Sequence, residues 1–389
     1  MTLANAVLAL MFVGLTAYVL FAGADFGAGS WDLVAGGTER GMPARRLIEH
    51  SIGPVWEANH VWLIFVLVVL WTGFPTAFAA VASTLYIPLT LAALGMIARG
   101  SAFAFRHSVP SLGLRRALGA TFAFSSVVTP FFLGAIVGAV ASGRVPPGIA
   151  RGDVITSWLN PTSVLGGVLA VISCTYLAAV YLCSDAVREG EARLVDWFRV
   201  RALFSALLVG VVALVGIAVL RADAKLLFHG LTHRGLPLIL ISAVAGLGSI
   251  VLLIRRSYGL SRIAAAVAVT AVLWGWAAAQ YPFIVPPALT IEGTAASRTV
   301  LLTLLICLLI GSVLLVPSLV LLYSLFQRTP ATSGGLGPPG GGHGPAHDGG
   351  EHGPADDGGR HGSAEVAADG LSDGQGRHAP GARPGARPA

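Results

Sequence analysis

The segment IGPVWEANHVWLIFVLVVLWTG, residues 52–73, is long enough and apolar enough to cross a membrane as one helix. A helix needs roughly 20 residues to span the ~30 Å hydrocarbon core of a bilayer. This segment nevertheless begins with three polar side chains, Glu57, Asn59 and His60. An ionisable side chain within a bilayer costs about 3 kcal/mol or more unless it is paired or hydrated. The segment therefore predicts a spanning helix whose polar end has either a partner or a function.

The rest of the chain repeats the apolar pattern. Of the 389 residues, 55% are hydrophobic and 11% charged, and this charged fraction is about half that of a typical soluble domain. We predict an all-α integral membrane protein with about nine transmembrane helices, arranged as two four-helix bundles plus one peripheral helix. The predicted spans are residues 2–23, 52–73, 76–98, 117–141, 162–183, 202–220, 236–254, 263–280 and 299–322.

The basic residues of the loops indicate an orientation. Fourteen of them, Arg99 included, follow spans one, three, five and seven, whereas six lie in the opposite loops. Loops rich in Lys and Arg remain in the cytoplasm, so we expect the N-terminus outside and the C-terminus in the cytoplasm. Because the net charge of +6 arises from these loops, we expect membrane lipid around the protein and no nucleic-acid partner.

The composition changes after residue 328. Residues 329–389 are rich in Gly, Pro, His and Asp and show no apolar periodicity, so they cannot bury enough surface to offset the entropy of ordering. We expect a nine-helix transmembrane domain over residues 1–328 and a disordered cytoplasmic tail over residues 329–389. Five of the ten histidines lie in the tail, where a solvated segment is a simpler interpretation than a metal site.

Polar residues cluster where the first two spans meet on the cytoplasmic side. Asp25 lies near the inner end of the first span, and the second span returns from the same side, so Asp25 and Glu57 share one membrane level. At 100° per residue, Trp56, Glu57 and His60 fall within an arc of about 100°, and Asn59 lies close to Trp56 on the other side. This polar face predicts a proton relay or a ligand site.

A purely structural interpretation of the acids is also open. Both lie near the interface, where burial of charge costs less, and Asp25 or Asp32 could cap a helix or pair with Arg45 and Arg46. The pair His229 and His233 has the i, i+4 spacing of a metal site on a helix. We expect that pair to lie in an external loop, which makes a metal site there a weak hypothesis.

Small residues and tryptophans add two expectations. Gly23 and Gly27 form a small-xxx-small pair, which lets another helix approach the first span closely. Trp62 lies about 9 Å further into the membrane than Trp56, at 1.5 Å per residue. We therefore expect Trp62 to line an internal surface.

Four motifs together resemble subunit II of the cytochrome bd type quinol oxidases. They are GADFGAG at residues 23–29, RRLIEHSIGPVWEANHVWLIF at 45–65, ARGSAFAFRH at 98–107 and YPFIVPP at 281–287. The resemblance covers the nine-helix region and leaves out the tail.

The resemblance implies a heterodimeric respiratory oxidase in the cytoplasmic (inner) membrane of a bacterium, which oxidises quinol and reduces dioxygen to water. It also implies that the haem-bearing subunit I is the partner and holds haems b and d, and that this chain ligates none. Carried over by position, Glu57 matches an acid on a proton path toward the haems, Asp25 matches an acid of the first-helix motif, and Trp62 matches a residue near an oxygen channel. Trp56, Asn59 and His60 are helper positions in the same motif.

The chain departs from the family pattern at Ala22 and Ala104, where family members often have acids, which puts any proton route through those acids in doubt. The residues alone leave two alternatives open, an ion-coupled secondary transporter and a membrane scaffold whose acids are structural. A role of His60 as a haem ligand is a lesser hypothesis.

Overall fold

The computed structural model describes residues 2–37, 39–52, 56–105, 108–109 and 111–328, so the predicted tail at 329–389 lies outside the described residues. The helices are α1 (Leu3–Leu33), α2 (Met42–Ile52), α3 (Trp56–Gly73), α4 (Pro75–Thr84), α5 (Tyr86–Phe105), α6 (Leu112–Ala141), α7 (Pro161–Arg188), α8 (Ala192–Asp223), α9 (Lys225–His233), α10 (Leu236–Ile254), α11 (Tyr258–Gln280), α12 (Ile291–Thr294) and α13 (Arg298–Arg328). Two short antiparallel strands, β1 (Phe283–Val285) and β2 (Leu289–Thr290), form a hairpin between α11 and α12.

The spanning helices follow from apolar length and from local caps. Among the described residues, eight helices are long and apolar enough to cross a membrane, and a bent pair of helices raises the number to nine. Side chains at the helix starts replace missing backbone partners. For example, the Asn160 side chain accepts the backbone N–H of Ser163 at 3.0 Å, and Pro161 occupies the first turn of α7. The predicted mostly helical membrane fold is confirmed.

The predicted third span, residues 76–98, is wrong as a single helix. The helical segments Asn59–Gly73 and Pro75–Thr84 meet at 118°, because Pro75 lacks a backbone N–H and disfavours helix at the residue before it. The ring of Trp71 stacks on that of Phe78 across this bend, with centroids 5.6 Å apart. The spanning helix is instead α5, which runs on to Phe105 and therefore carries Arg99 within the membrane domain rather than in a loop.

The helices pack in two groups around α1. In the first group α1 contacts α3 and α6, and α5 lies against α6; in the second, α7 contacts α8 and α11, and α10 contacts α11. The last helix, α13, contacts α1 and α3 from the outside of the first group. The grouping agrees with the two four-helix bundles and one peripheral helix expected from the sequence.

The two groups meet where α7 packs against both α1 and α6. A Cβ atom at Gly27 would lie 1.9 Å from the carbonyl oxygen of Cys174, so only glycine permits this approach. At Gly23 the nearest atom, the Cys174 sulfur, would be at an ordinary 3.5 Å. The predicted close approach is confirmed for Gly27, and it fixes the part of α1 that carries Asp25 against the second group.

Candidate functional site

The first site residue, Asp25, lies within a helix and not beyond its end. Helix α1 continues ten residues past the predicted end at residue 23, to Leu33, because the GADFGAG stretch has no proline and its small side chains fit between α6 and α7. Asp25 is buried, with 5% of its surface exposed. It lies roughly 12 Å before the C-terminal end of α1, at 1.5 Å per residue.

Helix α3 supplies the hydrogen-bond partner of this carboxylate. The side-chain Nδ2 of Asn59 donates to Oδ2 of Asp25 at 2.5 Å, and Asn59 is fully buried. The antiparallel crossing of α1 and α3 thus brings Asp25 together with Asn59, a member of the polar face predicted at the start of the second span. This contact orients the carboxyl group toward α3.

Helix α5 contributes a buried cation that the sequence analysis assigned to a loop. Arg99 is 2% exposed; its Nη2 donates to the backbone oxygen of Asp25 and its Nε to Oγ of Ser126, both at 3.1 Å. The guanidinium also lies over the rings of Phe26 and Phe122, 5.0 and 4.9 Å from their centroids. Arg99 therefore belongs to the site.

Asp25 and Arg99 form a buried pair of opposite charges. The Arg99 guanidinium lies close enough to interact with the Asp25 carboxylate, and each charge offsets part of the desolvation cost of the other. The sequence signal for Arg99 was its position inside the ARGSAFAFRH motif, one residue beyond the predicted span. A predicted span with the observed bounds of α5, Tyr86–Phe105, would have placed Arg99 within a helix.

Trp62 and His60 lie on the same helix as Asn59 and contact the site through packing. The Trp62 ring packs against the cluster that contains Tyr18 and Phe26 and lies edge-on to Phe65 at 6.3 Å. The His60 ring is edge-on to Phe26, also at 6.3 Å. The side chains of Trp56 and Glu57 lie outside the described part of the chain.

The structural interpretation applies to Asp32 and not to Asp25. The Arg45 Nε donates to Oδ1 of Asp32 at 2.8 Å, and the same guanidinium donates to the backbone oxygens of Gly36 and Gly37. This ion pair ties the end of α1 to α2. The two acids of α1 thus have different cations and different neighbours.

His60 is the one histidine within the described parts of the spanning helices, and the Phe26 ring lies edge-on to its imidazole, with centroids 6.3 Å apart. Two cavities of about 320 and 480 Å³ are lined by other residues.

The histidine pair is on a helix, so its predicted position in a loop is wrong. His229 and His233 lie on α9 with ring centroids 4.0 Å apart, and the Nδ1 of His233 is 2.9 Å from the backbone oxygen of His229. In the part of the chain that the structure describes, no group of three His, Cys, Asp or Glu side chains is placed to hold a metal ion.

The described geometry is that of a buried acid, amide and guanidinium between the first helices of a membrane protein. The sequence model of the family described as cytochrome bd terminal oxidase subunit II matches residues 3–326. The chain belongs to this family. Neither the family match nor the relatives below support the secondary transporter that the sequence left open.

Relatives of this bd oxidase subunit include two proteins of Bacillus subtilis (strain 168). The cytochrome bd ubiquinol oxidase subunit 2 is 31% identical over 167 residues, which are 43% of this chain and 48% of that protein. The match thus spans about half the length of that relative. The putative cytochrome bd menaquinol oxidase subunit II is 20% identical over 323 residues, 80% of this chain and 92% of that protein.

A solved structure supports the fold assignment. A chain of the bd oxidase from Geobacillus thermodenitrificans superposes with a TM-score of 0.67 at 26% identity, covering 84% of this chain and 99% of that chain. The chain is therefore a multi-pass membrane protein of the cytochrome bd terminal oxidase subunit II family.

Proposed function

We propose that the chain is the haem-free subunit II of a cytochrome bd type quinol:dioxygen oxidoreductase in the inner (cytoplasmic) membrane of a bacterium. Subunit I carries haems b and d, which supply the oxygen chemistry; quinol is the electron donor and dioxygen is reduced to water. The family match over residues 3–326 supports this assignment. The part assigned to this chain is the supply of protons and oxygen to the partner.

The orientation of the chain is part of the proposal. The C-terminal ends of α1, α5, α7 and α10 face the cytoplasm, since their loops carry most of the basic residues. Removing the buried Arg99 from the fourteen leaves thirteen basic residues against six on the opposite side. Asp25 then lies near the cytoplasmic mouth of the bundle.

The observation that carries the proton path is the buried Asp25, whose carboxylate accepts from Asn59 and whose backbone oxygen accepts from Arg99. Asn59 orients the carboxyl group, Arg99 stabilises its ionised form, and Glu57 receives protons from the cytoplasm and transfers them to Asp25. Because water formation consumes protons, uptake from this side builds a proton gradient. Trp62, one turn further along α3, lines the oxygen route in this proposal.

The test is the Asp25→Asn variant in the assembled two-subunit complex, purified in mild detergent. We expect oxygen uptake with a quinol donor to fall about 100-fold, the lower range for loss of a general acid–base group. The haem bands should be retained, because asparagine preserves the shape of the side chain.

The matched control is Asp32→Asn, which changes the other buried acid of α1 and its ion pair with Arg45. This variant should keep its turnover. Unchanged turnover in Asp25→Asn would remove Asp25 from the path. Purification of the wild-type chain as a colourless single protein would overturn the subunit assignment itself.

A further inference from the structure

We propose that a hydrated pocket bounded by Tyr18, Thr129 and Trp62 continues the proton path beyond Asp25. In this pocket the Tyr18 hydroxyl passes protons between ordered water molecules. The role of this pocket in proton transfer rests on the proposed function, and its position rests on the geometry of the described residues. The ligand of this pocket is ordered water.

Three buried polar atoms in this region have no hydrogen-bond partner among the described residues. They are the hydroxyl of Tyr18, Oγ1 of Thr129 and Nε1 of Trp62. Tyr18 is 6% exposed and Thr129 is fully buried. Buried polar atoms without a protein partner are expected to bind water, since an unsatisfied group loses its hydration without compensation.

The three atoms come from three helices, and the cluster around Tyr18 and Trp62 also contains Leu133, one turn from Thr129 on α6. Phe65 of α3 lies against Gly14 of α1, and one turn toward Asn59 places Trp62 beside Tyr18, in the cluster that both share. On the other side, Thr129 of α6 points its hydroxyl at Gly95 of α5, where an added Cβ would be 2.3 Å from Oγ1. Gly95 is one turn from Arg99.

Tyr18 lies beyond the Asp25 site along α1. Tyr18 and Asp25 are seven residues apart on this helix, which puts them on one face with a separation of roughly 10 Å along the axis. The Tyr18 hydroxyl is within electrostatic range of both Asp25 and Arg99.

A neutral phenol can pass a proton without becoming an anion. Its oxygen accepts a proton from the water on the Asp25 side while its own O–H proton moves to the next water, and rotation of the O–H bond restores the starting state. Between Tyr18 and Asp25 the same face carries Ala22, whose methyl group cannot carry a proton. Water therefore has to bridge the gap between the carboxyl group and the Tyr18 hydroxyl.

The functional test is Tyr18→Phe in the assembled complex. We expect quinol-driven oxygen uptake to fall about 10-fold, less than for loss of a general acid–base group because water replaces part of the relay, and the solvent deuterium isotope effect on turnover to rise. The matched control is Tyr258→Phe, which removes another buried hydroxyl without a partner in the described chain. Turnover and isotope effect equal to those of this control would overturn the relay.

A second variant keeps the test decisive if Tyr18→Phe does not assemble. Thr129→Val removes one hydroxyl at nearly constant shape, and Thr84→Val, at another buried unpartnered hydroxyl, is its control. A slower Thr129→Val with a normal Thr84→Val supports the pocket; equal rates contradict it.

A measurement of hydration separates this inference from the proposed function. Radiolytic hydroxyl labelling of the wild-type complex should modify Tyr18 more than Tyr176, which is similarly buried but donates its hydroxyl to Ser249 at 2.6 Å. Equal labelling of both tyrosines would overturn the pocket whatever the turnover shows. A slow Asp25→Asn with a normal Tyr18→Phe would leave the Asp25 path standing and remove only the relay.

Discussion

Asp223 and Asp25 each contact an arginine, but Asp223 does so through its carboxylate and Asp25 through its backbone oxygen. At the end of α8, the Asp223 carboxylate accepts hydrogen bonds from Nη1 and Nη2 of Arg144, at 3.0 and 2.5 Å. It also accepts hydrogen bonds from the backbone N–H and the hydroxyl of Thr162, at 3.1 and 2.6 Å. We call this group the loop clamp. Within the described chain, the Asp25 carboxylate accepts one hydrogen bond, from Asn59.

The difference separates an acid fixed by four donors from one whose oxygens keep accepting capacity, as the proposed proton path requires. A carboxylate with four donors is fixed in its ionised form and has no lone pair available for transfer. Arg99 donates to the backbone oxygen of Asp25 and to Ser126 rather than to the carboxylate. The carboxylate oxygens of Asp25 therefore keep the capacity to accept further hydrogen bonds. Burial also differs, since the side chains of Arg144 and Asp223 are 36% and 13% exposed, whereas Arg99 and Asp25 are nearly inaccessible.

The largest effect is expected from Arg99→Gln. The variant leaves the Asp25 carboxylate buried without its cation, and breaking a buried charge pair in this way costs about 3–5 kcal/mol. We expect the complex to lose its subunits or its haem bands at a clearly lower temperature than the wild type. Thermal denaturation in detergent, followed by haem absorbance, measures this shift.

The double variant Asp25→Asn with Arg99→Gln tests whether the loss comes from the unpaired charge. It should recover most of the stability, because neither charge remains, while turnover stays as low as in Asp25→Asn alone. A double variant no more stable than Arg99→Gln would show that Arg99 acts through its packing on Phe26 and Phe122 and not through charge.

A smaller effect is expected at the loop clamp. Arg144→Gln removes the bidentate contact of a partly exposed group, and hydrogen bonds to charged groups contribute about 1–3 kcal/mol. We expect a modestly lower denaturation temperature and unchanged oxygen uptake per complex. Asp223→Asn should act in the same way and should not add fully to Arg144→Gln, because the two side chains share one contact. A drop in turnover comparable to that of Asp25→Asn would abolish the distinction between the two regions.

Much of the fold was predictable because apolar length alone defines a membrane span. The runs at 117–141, 162–183 and 236–254 all lie within observed helices. The run at 76–98 failed because hydropathy does not report a bend: Pro75 and the turn near Leu85 divide an apolar stretch whose composition is uniform. That one error moved Arg99 from a helix into a loop.

The site was predictable in part for the same reason. Helix direction placed Asp25 at the level where the second span begins, and periodicity placed Asn59 on the polar face of that span. Which cation would meet Asp25 could not be predicted, since the choice among Arg45, Arg46 and Arg99 depends on how far α1 and α5 extend. The unpartnered hydroxyls of Tyr18 and Thr129 were invisible to the sequence, because whether a hydroxyl finds a partner depends on packing between three helices.

The smallest effect is expected in the loop beside the clamp. Asp153 is exposed, and the backbone N–H of Thr156, the Thr156 hydroxyl and the N–H of Ile155 lower the pKa of its carboxyl below the ordinary value. A lowered folded-state pKa gives stability that is present above the unfolded-state pKa of about 3.9 and is lost as the pH falls through the folded value.

Amide hydrogen exchange of residues 153–160 measures the local stability of this loop. Wild type should be better protected than Asp153→Asn at pH 6, and the two should converge only as the pH falls below the lowered folded-state pKa of Asp153. Equal protection at both pH values would mean that the turn holds without the carboxylate charge, and the contrast with the buried Asp25 would then rest on the loop clamp alone.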